Sequence, residues 1–161
     1  MAVGTVSGLN LDEAWQLIAT NTATSAASTT FSSLSGYKTY MIVNKNTNVG
    51  GATSYGIITF NGDTTAGNYG ASSFWDLNTN ARYLNTGIPA WSYNGGGVNG
   101  YTNYTIVQNA DKTVPKITQG AGWLTLGSQG VWLGTSAITS ITFTVSTGTF
   151  SGDIILYGIP A

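Results

Sequence analysis

The chain of 161 residues has no cysteine, no histidine and only three prolines. Without cysteine there is no disulfide, and the redox compartment leaves no mark on the sequence. Without histidine or cysteine neither a Ser-His-Asp triad nor a Cys-His pair can be assembled. The commonest general base and metal ligand is gone as well. Charge is scarce: Asp, Glu, Lys and Arg make up 7% of the residues, against a usual share of about 25%. The five cations, Lys38, Lys45, Arg82, Lys112 and Lys116, are scattered, and so few cannot track a nucleic-acid backbone. No stretch reaches the roughly 20 apolar residues of a membrane span. The N-terminus shows no basic region followed by an apolar one, as a secretory signal would.

Polarity comes instead from Ser, Thr, Asn and Gly, beside a hydrophobic share of 42% and a net charge of −1. That share supplies a core and excludes compositional disorder. A surface so close to neutral has little repulsion between copies, so partner subunits are expected to cover much of it.

The dominant pattern has a period of two. Over 137–146, Ile141, Phe143 and Val145 fall on one face of a strand and Thr142, Thr144 and Ser146 on the other. A break at Thr147-Gly148-Thr149 follows, then a run from Phe150 to Ile159 that ends almost continuously apolar, which suits a strand covered on both faces. These two segments read as a closing antiparallel hairpin in the middle of a sheet. Residues 37–45 alternate in the same way, and 55–60 form a short buried strand ending in the turn signal Asn61-Gly62-Asp63. Further strands are expected at 15–20, 29–34, 104–109, 114–118, 123–126 and 131–133. Residues 23–28 read as a linker, and 120–122 and 128–130 as turns. From 64 to 104 the pattern is irregular, with short strands expected around 73–77 and 88–93. Near the start, Asn10 and Glu13 fit a capping box, so a helical turn at 11–14 is expected. Many short strands with almost no helix, and no fixed repeat, point to an all-β, two-sheet antiparallel β-sandwich of jelly-roll type. Residues 1–14 read as an N-terminal arm and 15–161 as a single domain.

Catalytic and ligand-binding signals are few. Asp63 and Asp76 are the two carboxylates of the irregular region, and nothing in their spacing demands the approach that glycoside hydrolysis needs. Asn61-Gly62-Asp63 offers oxygens to Ca²⁺, but without a following series of acids it reads as a plain turn. Gly95-Gly96-Gly97 is not set between a strand and a helix and lacks a following Lys-Ser/Thr, so no phosphate cradle is indicated. No cofactor, metal site, nucleic acid or membrane is expected. The positive signal is aromatic: Trp91, Tyr93, Asn99 and Tyr101 combine flat apolar faces with amides, as glycan sites do. The same residues also suit packing under their own loop or a subunit interface.

Three stretches resemble a family, the small β-sandwich virion proteins of tailed bacteriophages. They are Trp15–Thr20 with Phe31-Ser-Ser-Leu-Ser-Gly-Tyr37 running to Val43; Ile58-Thr-Phe-Asn-Gly-Asp63 with Asn68-Tyr69; and Ala137–Thr142 running to Leu156-Tyr-Gly-Ile159. The resemblance implies homotrimers and a structural or adhesive role instead of catalysis. The chain lacks the long repetitive shaft of a complete tail fibre, which favours a capsid decoration (cement) or head-fibre protein on the outer surface of the particle. Such a protein is made in the host cytoplasm without a signal peptide. Its partners are itself and the major capsid protein, with Leu9, Leu11 and Trp15 as anchoring candidates. The alternative is a lectin-like tail-fibre tip that recognises host surface glycans through Trp91, Tyr93, Asn99 and Tyr101.

Overall fold

A computed structural model describes residues 14–50, 55–74, 81–91, 101–122 and 125–161, the side chains of 46–50, 72–74, 81–83, 91, 101, 102, 122, 125 and 126 excepted. Among these residues the two-residue period produces twelve strands: β1 (Gln16–Ala26), β2 (Ser28–Phe31), β3 (Tyr37–Gly50), β4 (Gly56–Phe60), β5 (Tyr69–Phe74), β6 (Ala81–Leu84), β7 (Ile88–Trp91), β8 (Tyr101–Gln108), β9 (Lys116–Gly122), β10 (Thr125–Trp132), β11 (Ile141–Val145) and β12 (Thr149–Pro160). They form an eight-stranded sheet, β1-β12-β3-β8-β9-β10-β5-β6, and a four-stranded sheet, β2-β11-β4-β7.

The pairing identifies the architecture. β1 pairs with β12, β2 with β11, β3 with β8 and β4 with β7, all antiparallel. The chain is thus one long hairpin, rolled so that its paired strands fall alternately into two sheets, which is the jelly roll. The all-β sandwich expected from the sequence is the fold found. Two hairpins are spliced into it. β5 and β6 lie between β4 and β7, β9 and β10 lie between β8 and β11, and β10 pairs with β5. Together they widen one sheet to twice the other.

The core lies between the sheets. Tyr40, Ile42, Ile154 and Leu156 of the larger sheet face Ile58, Phe60, Ile141 and Phe143 of the smaller, each at most 1% exposed. Phe143 meets Phe150 edge-on, with ring centroids 5.0 Å apart, a favoured aromatic geometry.

Several expectations are corrected. β11 and β12 are no hairpin: they sit in different sheets, and Gly148 (φ +74°) turns the chain from one to the other. A hairpin would leave their apolar faces side by side, whereas crossing lets them bury each other. Residues 137–140 are not strand. The Asn61 amide takes their backbone instead, accepting from the Thr139 and Ser140 N–H groups at 2.7 and 3.1 Å and donating to the Ala137 carbonyl at 2.8 Å. The linker at 23–28 is mostly strand, broken at residue 27 where the chain changes sheet after Ser25 (φ +54°). The turn at 128–130 is the middle of β10. A Cβ on Gly130 would lie 2.7 Å from the Ala71 Cβ and 2.9 Å from the Ile88 Cδ1, so this glycine answers to packing. The turn at 120–122 is likewise strand, and Gly120 passes so close to the Tyr104 carbonyl that a Cβ would sit 2.6 Å from it. The expected strands at 123–126 and 131–133 are one, and β6 was not anticipated. Of the expected helical turn, only Ala14 is among the described residues.

The ends of β1, β3, β7 and β11 and the starts of β2, β4, β8 and β12 gather at one pole. The start of β1 lies at the other, where Gln16 stands beside Gly158. Phe150 and Gly158, partners of Ala26 and Gln16, are about 27 Å apart at a strand rise of ~3.4 Å per residue.

Candidate assembly face

Antiparallel sheets that turn one face to water alternate apolar-in with polar-out. The larger sheet does not. Its outward side chains form rows of cross-strand neighbours that can be followed from strand to strand. One row runs Leu17, Tyr157, Met41, Ile106, Gln119, Gln129, and the next runs Thr20, Ile155, Val43, Tyr104, Ala121. A third runs Ile159, Thr39, Gln108, Ile117, Val131, Gly70. Leu17 is 62% exposed, Ile117 47% and Tyr104 43%. Strands spaced ~4.8 Å apart and rows ~7 Å apart give the apolar positions of these rows an area of about 370 Å². That is within the range for the largest patch on a monomer, a patch that is often functional. Its border carries charge, with Asp153 in register with Lys45 and accepting from the Thr22 hydroxyl at 2.7 Å.

Where the sheet widens, the outer face sinks. Gly70 lacks a side chain beside Val131, and a groove of about 440 Å³ opens there, lined by Gly70, Ile117, Gln119, Gln129 and Val131 among others.

Beside the groove, the turn after β4 is locked. Asn61 and Gly62 take positive φ values of 53° and 68°, the tight turn that Asn-Gly favours. This turn presents Asp63 to three donors: Oδ1 accepts from the Thr65 N–H at 2.9 Å, and Oδ2 from the Asn68 amide at 2.9 Å and the Trp132 indole at 2.7 Å. Chiefly through that indole N–H, the carboxyl is held down at about 2. Such a group is ionised and fully engaged at neutral pH, so it has no proton to give as a general acid. Tyr69 donates to the Asp63 carbonyl and accepts from the Phe60 N–H; burial pushes its phenol up to about 12. Lys116 is wholly buried, donates to the Lys112 and Val114 carbonyls at 2.7 and 2.5 Å, and lies 5.6 Å from the Trp132 ring centroid. Desolvation lowers its pKa, with Asp111 opposing.

On the inner face, Asn44 and Asn103 are cross-strand partners, each 2% exposed. The Asn44 Oδ1 and both amide atoms of Asn103 have no hydrogen-bond partner.

The residues singled out from sequence fall at opposite ends. Trp15 stands 39% exposed just before β1, while Leu9 and Leu11 lie outside the described residues. β7 ends at Trp91 and β8 begins at Tyr101, at the pole away from Trp15. Tyr93, Asn99 and Asp76 lie outside the described residues, so no pairing of Asp76 with Asp63 enters the site. Among the described residues no three His, Cys, Asp or Glu side chains gather as a metal site would require. The apolar outer face was not singled out. Its signal was present in Tyr40-Met41-Ile42-Val43 and Ile154-Ile155-Leu156-Tyr157, apolar at both parities.

No family model matches the chain, and no curated protein matches it. Among solved structures it is similar to a fructosyltransferase from A. japonicus (10% identity, TM-score 0.40, 95% of this chain and 27% of that one). It is also similar to A. japonicus CB05 (10%, 0.37, 94% and 28%). A protein from Saccharomyces cerevisiae described as functionally unknown follows (10%, 0.23, 86% of each). The chain spans just over a quarter of the first two. Likeness at these values carries no argument about function.

Proposed function

We propose that this chain is a structural virion protein of a tailed bacteriophage, a capsid decoration (cement) or head-fibre subunit that assembles with copies of itself, as a homotrimer. The observation that carries the reading is the apolar outer face of the larger sheet, which no other described strand covers. Leu17, Ile155, Tyr157, Met41, Val43, Tyr104, Ile106 and Ile117 together amount to the apolar centre of a subunit interface. A standard interface buries about 800 Å² per partner; the apolar positions with their Thr and Gln neighbours span roughly 570 Å², most of one. Trp15, at one pole, is suited, with the arm that precedes it in sequence, to attach to the major capsid protein. Native mass spectrometry of the full chain is expected to find a trimer, and Tyr104→Lys with Ile106→Asp is expected to release folded monomers. A wild-type monomer at tens of micromolar removes the reading. Deleting residues 2–13 is expected to abolish binding to particles that lack the protein.

A second reading, a lectin-like receptor-binding module, is favoured by one observation: Trp91 and Tyr101 end and begin strands at the pole opposite Trp15. Glycan-array binding that Trp91→Ala abolishes is its expected result; an array without binding removes it.

A further inference from the structure

The outer face carries a projection and a depression at different places, and their placement says how copies meet. Leu17 is the projection. It lies on β1, the outermost strand, and is 62% exposed, with Trp15 exposed beside it. The depression is the groove of about 440 Å³ between β9, β10 and β5. Leu17 shares a cross-strand row with Gln119 and Gln129, the two glutamines at the groove. Four and five strand spacings of ~4.8 Å separate it from them, about 19 and 24 Å.

We propose that Leu17 of one copy seats in the groove of the next, against Ile117 and Val131 and in the space above Gly70, so that the copies close head-to-tail into a ring. This rests on the self-assembly reading above and names its contact. Leu17 and the groove lie on one face, so they can meet reciprocally across a two-fold axis or successively around a ring; the trimer of the reading above requires the second. The chemistry matches on both sides. The groove floor is aliphatic and glycine, and it takes an aliphatic side chain without stranding a polar group. Among the described residues β1 has β12 on one side only, so backbone N–H and C=O groups along its other edge have no ladder partner there. The amides of Gln119 and Gln129 both donate and accept, and so can bond that edge as Leu17 goes in. The apolar field lies between projection and groove, which turns it towards the ring axis.

The absence of native cysteine makes the contact testable by cross-linking. Leu17→Cys and Gln129→Cys are combined in the full chain. Within one copy the two positions are far beyond the ~7 Å that a disulfide spans, so any bond formed joins neighbours. Oxidation is expected to give covalent species up to the ring size seen by native mass spectrometry, while either single variant stays unlinked. As a second arm, Gly70→Trp fills the groove. A Cβ there meets only the Val131 Cγ1, at 3.5 Å, so the fold is kept, and ring affinity is expected to fall at least tenfold. A covalent dimer and nothing larger overturns the ring. An oligomeric wild type whose double variant does not cross-link, and whose Gly70→Trp form stays assembled, overturns this contact but leaves self-assembly standing. A monomeric wild type overturns both.

Discussion

Replacing Asp63 with alanine tests whether one carboxylate holds the larger sheet to the turn that leaves the smaller one. Its Oδ2 accepts the indole N–H of Trp132, a side chain only 2% exposed, at 2.7 Å. Removing the acceptor leaves that donor buried and unpaired, which costs about 1–3 kcal/mol. A second route gives a similar size. The carboxyl is lowered from 3.8 to about 2, and at 1.36 kcal/mol per unit this sets a ceiling of ~2.4 kcal/mol. Asp63 is partly open to solvent, and screening brings that to roughly 1–2 kcal/mol. For a chain of this size that is a fall in Tm of about 3–6 °C at pH 7. The sign with pH follows from linkage. A carboxyl whose folded pKa lies below its unfolded value stabilises fully above about pH 4, and the contribution is lost as pH falls towards 2. The gap between wild type and Asp63→Ala, followed by calorimetry or tryptophan fluorescence, should therefore be widest at neutral pH and narrow between pH 4 and pH 2. Trp132→Phe should show the same narrowing, and the double variant should lose less than the sum. A neutral-pH gap under about 1 °C, or one unchanged down to pH 2, refutes the reasoning.

Three further outcomes are expected. Gly130→Ala should cost about 1–3 kcal/mol through overpacking against Ala71 and Ile88, whereas Gly70→Ala, with open space outside, should stay within about 0.5 kcal/mol; urea midpoints compare the two. Asn103→Leu removes a buried amide without partners and should raise the urea midpoint, by about 1–2 kcal/mol of stability; a lowered midpoint contradicts that amide's cost. Lys116→Met should lower Tm by a few degrees, about 1–2 kcal/mol, through the two carbonyl bonds lost. Because the folded pKa of Lys116 is depressed, the unfolded chain binds more protons in the alkaline window, so wild-type stability gains there as pH rises towards 10.4; the variant should lack that gain.

Strand existence was legible in the sequence, because the two-residue period needs no knowledge of the partner. Sheet membership was not. Phe143 and Phe150 carry the same alternation whether their strands pair or face each other across the core. Glycine was the second source of error: Gly130 resembles a turn residue, and only the nearness of Ala71 and Ile88 reveals that it is there for lack of a side chain. At 137–140 a strand-like pattern lost its ladder to the side chain of Asn61, about eighty residues earlier in the chain, a competition invisible to any local window. The outer face was legible in part. The apolar run of β12 read as a strand covered on both faces, and only the structure showed that the described residues cover just one.

The place of β12 bears on how the molecule comes to exist. It is the latest in sequence of the described strands, yet it lies between β1 and β3, and the Thr22–Asp153 bond closes a separation of 131 residues. Until β12 is available, β1 and β3 have nothing to join them. Folding of the larger sheet must then wait for β12, on the millisecond-to-second scale of topologies dominated by distant pairings. In that interval unpaired strand edges lie open to neighbouring chains, and a truncation that removes only β12 would leave a sheet that cannot zip shut.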